Sequence, residues 1–245
     1  MASTRLPGKV LRELCGTTVL GHVIRRVEQC PLIDKIVVAT SSSPADDAIE
    51  MEATTHGALV YRGSEEDVLD RYYGAAIQST ADIVVRVTSD CPLLDPVILC
   101  QMVDMFRARN TQASTEPLDY LSNTLGERTF PRGLDAEIFT MGALAKAHSL
   151  ARDPWEREHV TPYIYSHPET FLLEGFSQNT DQSVQRWTLD TEEDWVLIHG
   201  IYNALGTEGK TFTTHDVIAY LDAHPDLMAI NAQVRQKQPT VPRRI

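Results

Sequence analysis

The sequence predicts a three-layer α/β/α sandwich around a mostly parallel sheet. Two observations carry that prediction. Short runs rich in Val and Ile recur along the first two thirds of the chain. Stretches with helical apolar period fall between them, and several open on capping chemistry.

Residues 35–40, Lys-Ile-Val-Val-Ala-Thr, read as a first strand, ended by a turn-rich segment at 41–44. Residues 58–61 and 82–87 read as a second and a third strand, and 119–121 as a weaker fourth. Continuous apolar runs of this kind fit strands covered on both faces. Leu20, Val23, Ile24 and Val27 form one face of a helix over 19–29, and Leu69, Tyr72, Tyr73 and Ala76 one face of the next. Ile98, Met102, Met105 and Phe106 line a third, which opens with Asp95 as N-cap and Pro96 at the first helical position. A capping box at Thr191 to Asp194 opens a late helix, and a further helix is expected over 216–223. No repeat or linker interrupts the chain, so residues 1–245 read as one domain with an irregular tail from 238 onward.

Composition narrows the function. Apolar residues make up 42% of the 245 and charged residues 23%, the profile of a globular protein. The formal charge of −12 disfavours nucleic acid and anionic membrane as partners. An anionic substrate would then need locally concentrated Arg and Lys, or a metal ion. No apolar run approaches the ~20 residues that span a bilayer, and no secretory signal opens the chain. The four cysteines form no Cys-x-x-Cys pair. Together these features predict a cytoplasmic protein with reduced thiols and no structural zinc.

Ser3-Thr4-Arg5-Leu6-Pro7-Gly8-Lys9 concentrates hydroxyls, two cations and a glycine ahead of a helix. Such a loop can cradle polyphosphate through N–H groups and fixed charges, and it can equally be a basic surface loop. The Walker spacing is absent. Asp90 follows the third strand, where open α/β sheets bind ligands. It is either a turn former before Cys91-Pro92 or a carboxylate ligand for a hard cation. Asp190 follows an expected strand at 185–189 and reads as a second ligand or as an ordinary residue before the capping box. Arg71 is a solvated helix charge paired with Asp67 at i−4, or a phosphate contact. Ser64 and Asp67 have capping-box spacing, so the acidic run 65–67 belongs to a helix start. Asp135 and Glu137 alternate on an expected strand and would face the same way, beside Arg132. Arg157 and His159 sit near the start of a short helix.

These blocks together resemble a known family. Ser3 to Lys9 looks like the nucleotide-binding signature of the cytidylyltransferases that activate 3-deoxy-manno-octulosonate and acylneuraminates, enzymes of the nucleotide-diphospho-sugar transferase (Rossmann-like) fold. The pattern is closer to the branch called spore coat polysaccharide biosynthesis protein F. It continues through Arg62 to Tyr72, Arg86 to Pro96, Arg128 to Glu137, Glu156 to Tyr163 and Arg186 to Thr191, in order along nearly the whole chain. The resemblance implies transfer of CMP from CTP to the anomeric hydroxyl of an acidic sugar, with pyrophosphate released. It implies Mg²⁺ held by Asp90 and Asp190, and nucleotide contacts from Ser3, Thr4, Arg5, Gly8, Lys9 and Arg71. Arg5, Lys9 and Asp90 would carry the catalysis. Arg132, Asp135, Glu137, Arg157 and His159 would meet the sugar. A homodimer is implied as well. Family members precede the signature loop with an apolar strand ending in Ala-Arg, whereas this sequence opens at Met1-Ala2: either its start is clipped, or the strand is absent and the central sheet has a gap.

Two other readings share the fold class. A glycosyltransferase consuming a nucleotide sugar would use the same sandwich, but it calls for an Asp-x-Asp motif where this chain has Ser89-Asp90-Cys91-Pro92. A non-catalytic nucleotide-binding protein of a polysaccharide pathway would need the loop without the carboxylates.

Overall fold

The computed structural model describes residues 5–112, 116–206 and 211–236. A tight hairpin comes first, with β1 (Glu13–Leu14) antiparallel to β2 (Thr17–Thr18). Cys15 and Gly16 between them both hold positive φ, 49° and 91°, the backbone that lets a two-residue turn match strand twist. Helix α1 (Val19–Glu28) follows, then β3 (Val37–Ser41), α2 (Asp47–Thr55) and β4 (Leu59–Gly63). β3 and β4 pair in parallel, as a strand–helix–strand crossover requires. Then come α3 (Val68–Ser79), β5 (Ile83–Arg86), α4 (Pro96–Thr111), β6 (Tyr120–Ser122) and β7 (Glu137–Thr140). α5 (Met141–Leu150), α6 (Pro154–His159), α7 (Pro162–Tyr165) and β8 (Leu173–Gly175) lead to three closing helices. These are α8 (Glu192–Leu205), α9 (Thr214–Ala223) and α10 (Pro225–Ala229).

The four-stranded sheet runs β5-β7-β6-β8. β6 and β8 are parallel, and only β7 is reversed against its neighbours. Alternation along the strands separates two cores. Leu121 and Ile138 face α1 and α4 with Val23, Leu99 and Phe106, while Tyr120 and Phe139 face α3 and α5 with Leu69 and Leu144. The three-layer α/β sandwich is therefore present. Asp95 caps α4 by accepting from the amides of Val97 and Ile98, and Thr191 with Asp194 makes the capping box of α8.

Several expectations need correction. The strand expected over 185–189 is reduced to an isolated parallel bridge between Arg132 and Arg186. Asp67, not Ser64, is the N-cap of α3, because its carboxylate accepts from Asp70 N. Cys30 and Cys100 are joined as a disulfide, against the expectation of reduced thiols. The packing of the α1 end against α4 brings their Cα atoms to 5.4 Å, within disulfide reach. Cys15 is free and exposed, and Cys91 free and buried.

β3 and β5 are also less covered than their apolar runs predicted: Val37 to Ala39 and all of β5 are only half-buried. Each has one strand neighbour among the described residues, and a cavity of about 700 Å³ lies between their other edges.

One half-buried histidine gives the fold a pH dependence. His22 Nε2 donates to the Leu14 carbonyl at 2.6 Å, and the ring lies 4.2 Å from that of Tyr202. Burial lowers the imidazole pKa from 6.5 to about 4, helped by Arg26 and Arg25 and only partly opposed by the Leu14 bond. A depressed histidine keeps its stabilisation above the unfolded value and loses it as pH falls. Unfolding free energy should therefore decline between pH 6.5 and about 4. His22→Gln should flatten that limb in urea titrations at fixed pH steps.

Candidate active site

The site is assembled from three chain segments that apolar contacts hold together. Leu6 of the N-terminal loop is buried with Leu93, Trp187 and Leu189, which belong to the segments carrying Asp90 and Asp190. Gly8 turns the loop at φ 67°, ψ 11°, a left-handed conformation suited to glycine. A single 3₁₀ turn, Lys9–Leu11, then aims the lysine inward. The two acidic segments are tied by Leu189 N donating to the Asp90 carbonyl at 2.9 Å.

Lys9 Nζ stands between the carboxylates. It donates to Asp90 Oδ2 at 2.7 Å, Asp190 Oδ1 at 2.8 Å and the Leu189 carbonyl at 2.7 Å. Burial alone would lower this ammonium, but Asp90 and Asp190 outweigh it and hold the pKa above 10.5. Burial would likewise raise Asp190, yet hydrogen bonds and charge from Lys9, with Arg186 and Arg5, keep it below the ordinary carboxylate value. Arg5 Nη2 lies 3.1 Å from Asp190 Oδ2. Thr88 donates to Asp90 Oδ1 at 2.7 Å, which leaves the other oxygen to Lys9. Ser3 and Thr4 fall outside the described residues.

Residues not singled out by sequence reasoning hold this geometry. Arg186 Nη2 donates to Asp190 at 2.9 Å, and its guanidinium also grips Asp194 through Nε and Nη2 at 2.9 and 3.0 Å. Asp194 is fully buried and accepts further bonds from the amides of Asp190 and Thr191 and from Asn231. The signal was present as the spacing 186, 190, 194. Read alone, it is helical ion-pair spacing in a stretch that turns helical only at Glu192.

The opposite wall comes from residues 128–135. Arg132 N donates to the Gln185 carbonyl at 3.0 Å, and Trp187 N to the Arg132 carbonyl at 2.7 Å. Gly133 permits this approach, since it sits at φ 102° and a Cβ there would fall 2.5–2.7 Å from the backbone of Trp187 and Thr188. Gly133→Ala should therefore cost about 1–3 kcal/mol in denaturant unfolding from backbone strain alone, with further loss from the clash. Asp135 is held by Arg128 in a bidentate pair at 2.6 and 2.9 Å. Arg132 makes no side-chain hydrogen bond or ion pair among the described residues. Burial, together with Arg128 and Arg186 nearby, lowers its pKa despite Asp135.

Other expected site residues lie apart from this cluster. Glu137 does not share a face with Asp135. It is buried and accepts from Arg86, from Tyr120 Oη at 2.6 Å and from Thr161 Oγ1 at 2.5 Å. Arg157 donates to Asp67 through Nε at 2.8 Å and to the His148 carbonyl at 2.9 Å, which clamps α6 against α3. His159 is exposed, with its ring 5.5 Å from Trp155. Arg71 does not pair with Asp67, whose carboxylate is taken by Arg157. Its Nε is buried without a partner, in the wall of the 700 Å³ cavity that also takes in Thr88 and Ser89.

No group of three or more His, Cys, Asp and Glu among the described residues could hold a metal ion. The pair Asp90 and Asp190 still fits a hard cation, because oxygens of both already converge on one cationic centre at 2.7–2.8 Å. Two carboxylates suit an ion that keeps several waters and takes the rest of its ligands from phosphate.

A cytidylyltransferase family model matches residues 1–212. The spore coat polysaccharide biosynthesis protein SpsF of Bacillus subtilis is 32% identical over 233 residues, covering 92% of each chain. A solved cytidylyltransferase from Leptospira borgpetersenii is 36% identical, with a TM-score of 0.86, covering 97% of this chain and 95% of its own. The CMP:2-keto-3-deoxy-manno-octonic acid synthetase complexed with CTP shares the fold, with a TM-score of 0.61 at 16% identity over 82% of this chain and 94% of its own. No described helix is long and apolar enough to cross a membrane. With a family model matched across most of its length and a relative of this identity spanning nearly all of it, the chain belongs to the cytidylyltransferase family.

Proposed function

We propose that the chain transfers CMP from CTP to the anomeric hydroxyl of an acidic sugar, with release of pyrophosphate, in surface polysaccharide or glycan synthesis. The observation that carries this reading is Lys9 seated between Asp90 and Asp190, at the meeting of the signature loop with two further segments. The printed names of the relatives favour the substrate class. They include 3-deoxy-manno-octulosonate cytidylyltransferases, such as that of Aeromonas hydrophila at 31% identity over 64% of this chain and 62% of its own.

Asp90 and Asp190 would hold Mg²⁺, which when bound supplies Lewis-acid polarisation of the α-phosphate and a lower pKa for the attacking hydroxyl. Lys9 and Arg5 would exchange their carboxylate partners for the β- and γ-phosphates, neutralising the charge that grows on departing pyrophosphate. Because the Lys9 ammonium is held above its ordinary value, it acts as a fixed charge and not as a base. Cys91 is fully buried and burial pushes its thiol well above the ordinary value, so it supplies no thiolate nucleophile. Direct in-line attack by the sugar fits that chemistry. Arg132, a cation crowded by two others and making no side-chain ion pair among the described residues, suits the sugar carboxylate. Arg71 would reach the nucleotide from the far side of Thr88.

The test is pyrophosphate release over four NTPs crossed with 3-deoxy-manno-octulosonate, N-acetylneuraminate and a neutral hexose. Turnover is expected with CTP and an acidic sugar. Asp90→Asn should lower it by at least roughly a hundredfold, the scale of losing one electrostatic contact in a dry site. Undiminished release by Asp90→Asn would remove that residue from the chemistry.

A further inference from the structure

Asp190 is held from two sides that behave differently when substrate arrives. On one side Lys9 donates to Oδ1 and Arg5 lies 3.1 Å from Oδ2, and these are the cations that the proposed reaction turns toward phosphate. On the other side Arg186 Nη2 donates to Oδ2 at 2.9 Å. Once Lys9 and Arg5 have turned away, Arg186 is the remaining side-chain partner of this carboxylate among the described residues. What fixes Arg186 comes in part from the segment after α10. Its Nε and Nη2 grip Asp194, while Nη1 donates to Gln236 Oε1 at 2.5 Å. Asn231 braces the pair, because its Nδ2 donates to the Arg186 carbonyl and to Asp194 Oδ1, both at 2.9 Å. A guanidinium is a rigid planar fork. Asp194 holds one edge of it and Gln236 the opposite corner, and together they set the direction in which Nη2 meets Asp190. Close packing does not lay this segment on the array. Leu227 and Met228 seat α10 against the core that contains Trp187 and Leu197. Beyond them a cleft of about 320 Å³ separates residues 228–236 from Arg132, Gln185 and Arg186. Gln236 is exposed and makes no other side-chain hydrogen bond among the described residues. It therefore does little for the fold and acts on one guanidinium.

We infer that Gln236 is a positioning residue for Asp190, acting through Arg186, and that the segment 231–236 completes the active site in its nucleotide-bound state. The inference rests on the proposed exchange of Lys9 and Arg5 from carboxylate to phosphate. Without Gln236 the empty site keeps its geometry, because Lys9 and Arg5 still hold Asp190. With nucleotide bound, the carboxylate is free to turn with Arg186, and its hold on a divalent cation weakens. Loss of a partner behind a metal ligand costs roughly 10–100-fold in metal affinity or activity.

The test is Gln236→Leu in the full chain, read without any sugar so that no turnover occurs. Mn²⁺, followed by the EPR signal of the free ion, is titrated into wild type and variant in the presence of CTP. The variant's Mn²⁺ dissociation constant is expected to rise at least roughly tenfold. The thermal midpoint of the metal-free chain should stay within about 2 °C of wild type, as for a surface substitution. Gln236→Glu keeps an acceptor oxygen for Nη1 and should restore tight Mn²⁺ binding. Unchanged Mn²⁺ affinity in Gln236→Leu overturns the inference. So does a loss that Gln236→Glu fails to restore, and so does a loss that comes with a lowered midpoint, the mark of general loosening. A wild-type chain that binds no Mn²⁺ beside CTP overturns the reading of Asp90 and Asp190 as cation ligands, and this inference with it. Failure to turn over any acidic sugar removes only the substrate assignment, because the Mn²⁺ comparison contains no sugar.

Discussion

Lys9→Met is expected to lower CMP transfer by roughly 10²–10³-fold, the cost of losing one preorganised cation where charge develops. Methionine matches the length of the aliphatic stem, so the loop anchored by Leu6 should stay in place. What disappears is the single charge that both carboxylates share. The effect should fall on kcat as well as on the KM for CTP, because the lysine is asked to meet charge that grows in the transition state. Initial rates of pyrophosphate release at saturating sugar check this. A variant that loses only KM would assign Lys9 to uniform binding of the nucleotide.

Asp194→Ala is expected to cost about 3–5 kcal/mol of unfolding free energy, the range for removing one partner of a buried ion pair. Asp194 is fully buried and accepts from Arg186, Asn231 and the amides of Asp190 and Thr191. Without it, Arg186 keeps only Asp190 and Gln236. For a chain of this size, about 1 kcal/mol corresponds to roughly 2–4 °C, so the midpoint should fall by about 6–20 °C. The alternative outcome is a loss under about 1 kcal/mol with activity intact. That would mean water replaces the carboxylate and the pair does not position Asp190.

Helices α1, α3, α4, α8 and α9 were legible because each carries its own signals, whereas α2, α5, α7 and α10 were not read from the sequence. Asp95-Pro96 and the box at Thr191 to Asp194 define helix starts from four residues or fewer, and both stand in the structure. β3 to β5 were legible from their Val and Ile runs. Segment 185–189 was not, since its one bridge depends on Gly133 letting residue 132 approach. Cys30 and Cys100 were misread for a similar reason, as nothing in local spacing says that the α1 end meets α4.

At the site, the residue types were readable and their partners were not. Arg5 and Lys9 were singled out by the loop's composition and its resemblance to the family signature, Asp90 and Asp190 by their places after strands and the same resemblance, and the four meet. Arg157 and Glu137 carry equally suggestive side chains, but folding assigns them to Asp67 and to Arg86. The amino-acid order alone determined the sandwich, the starts of α4 and α8 and the acidic and basic groups available, because propensity, capping and apolar period act within a few residues. Only the tertiary structure decided that one ammonium bridges carboxylates one hundred positions apart, that Arg186 and Asp194 orient the second of them, and that two strand edges lie open to a cavity. Those outcomes depend on burial and on through-space charge between segments whose separation no local pattern encodes.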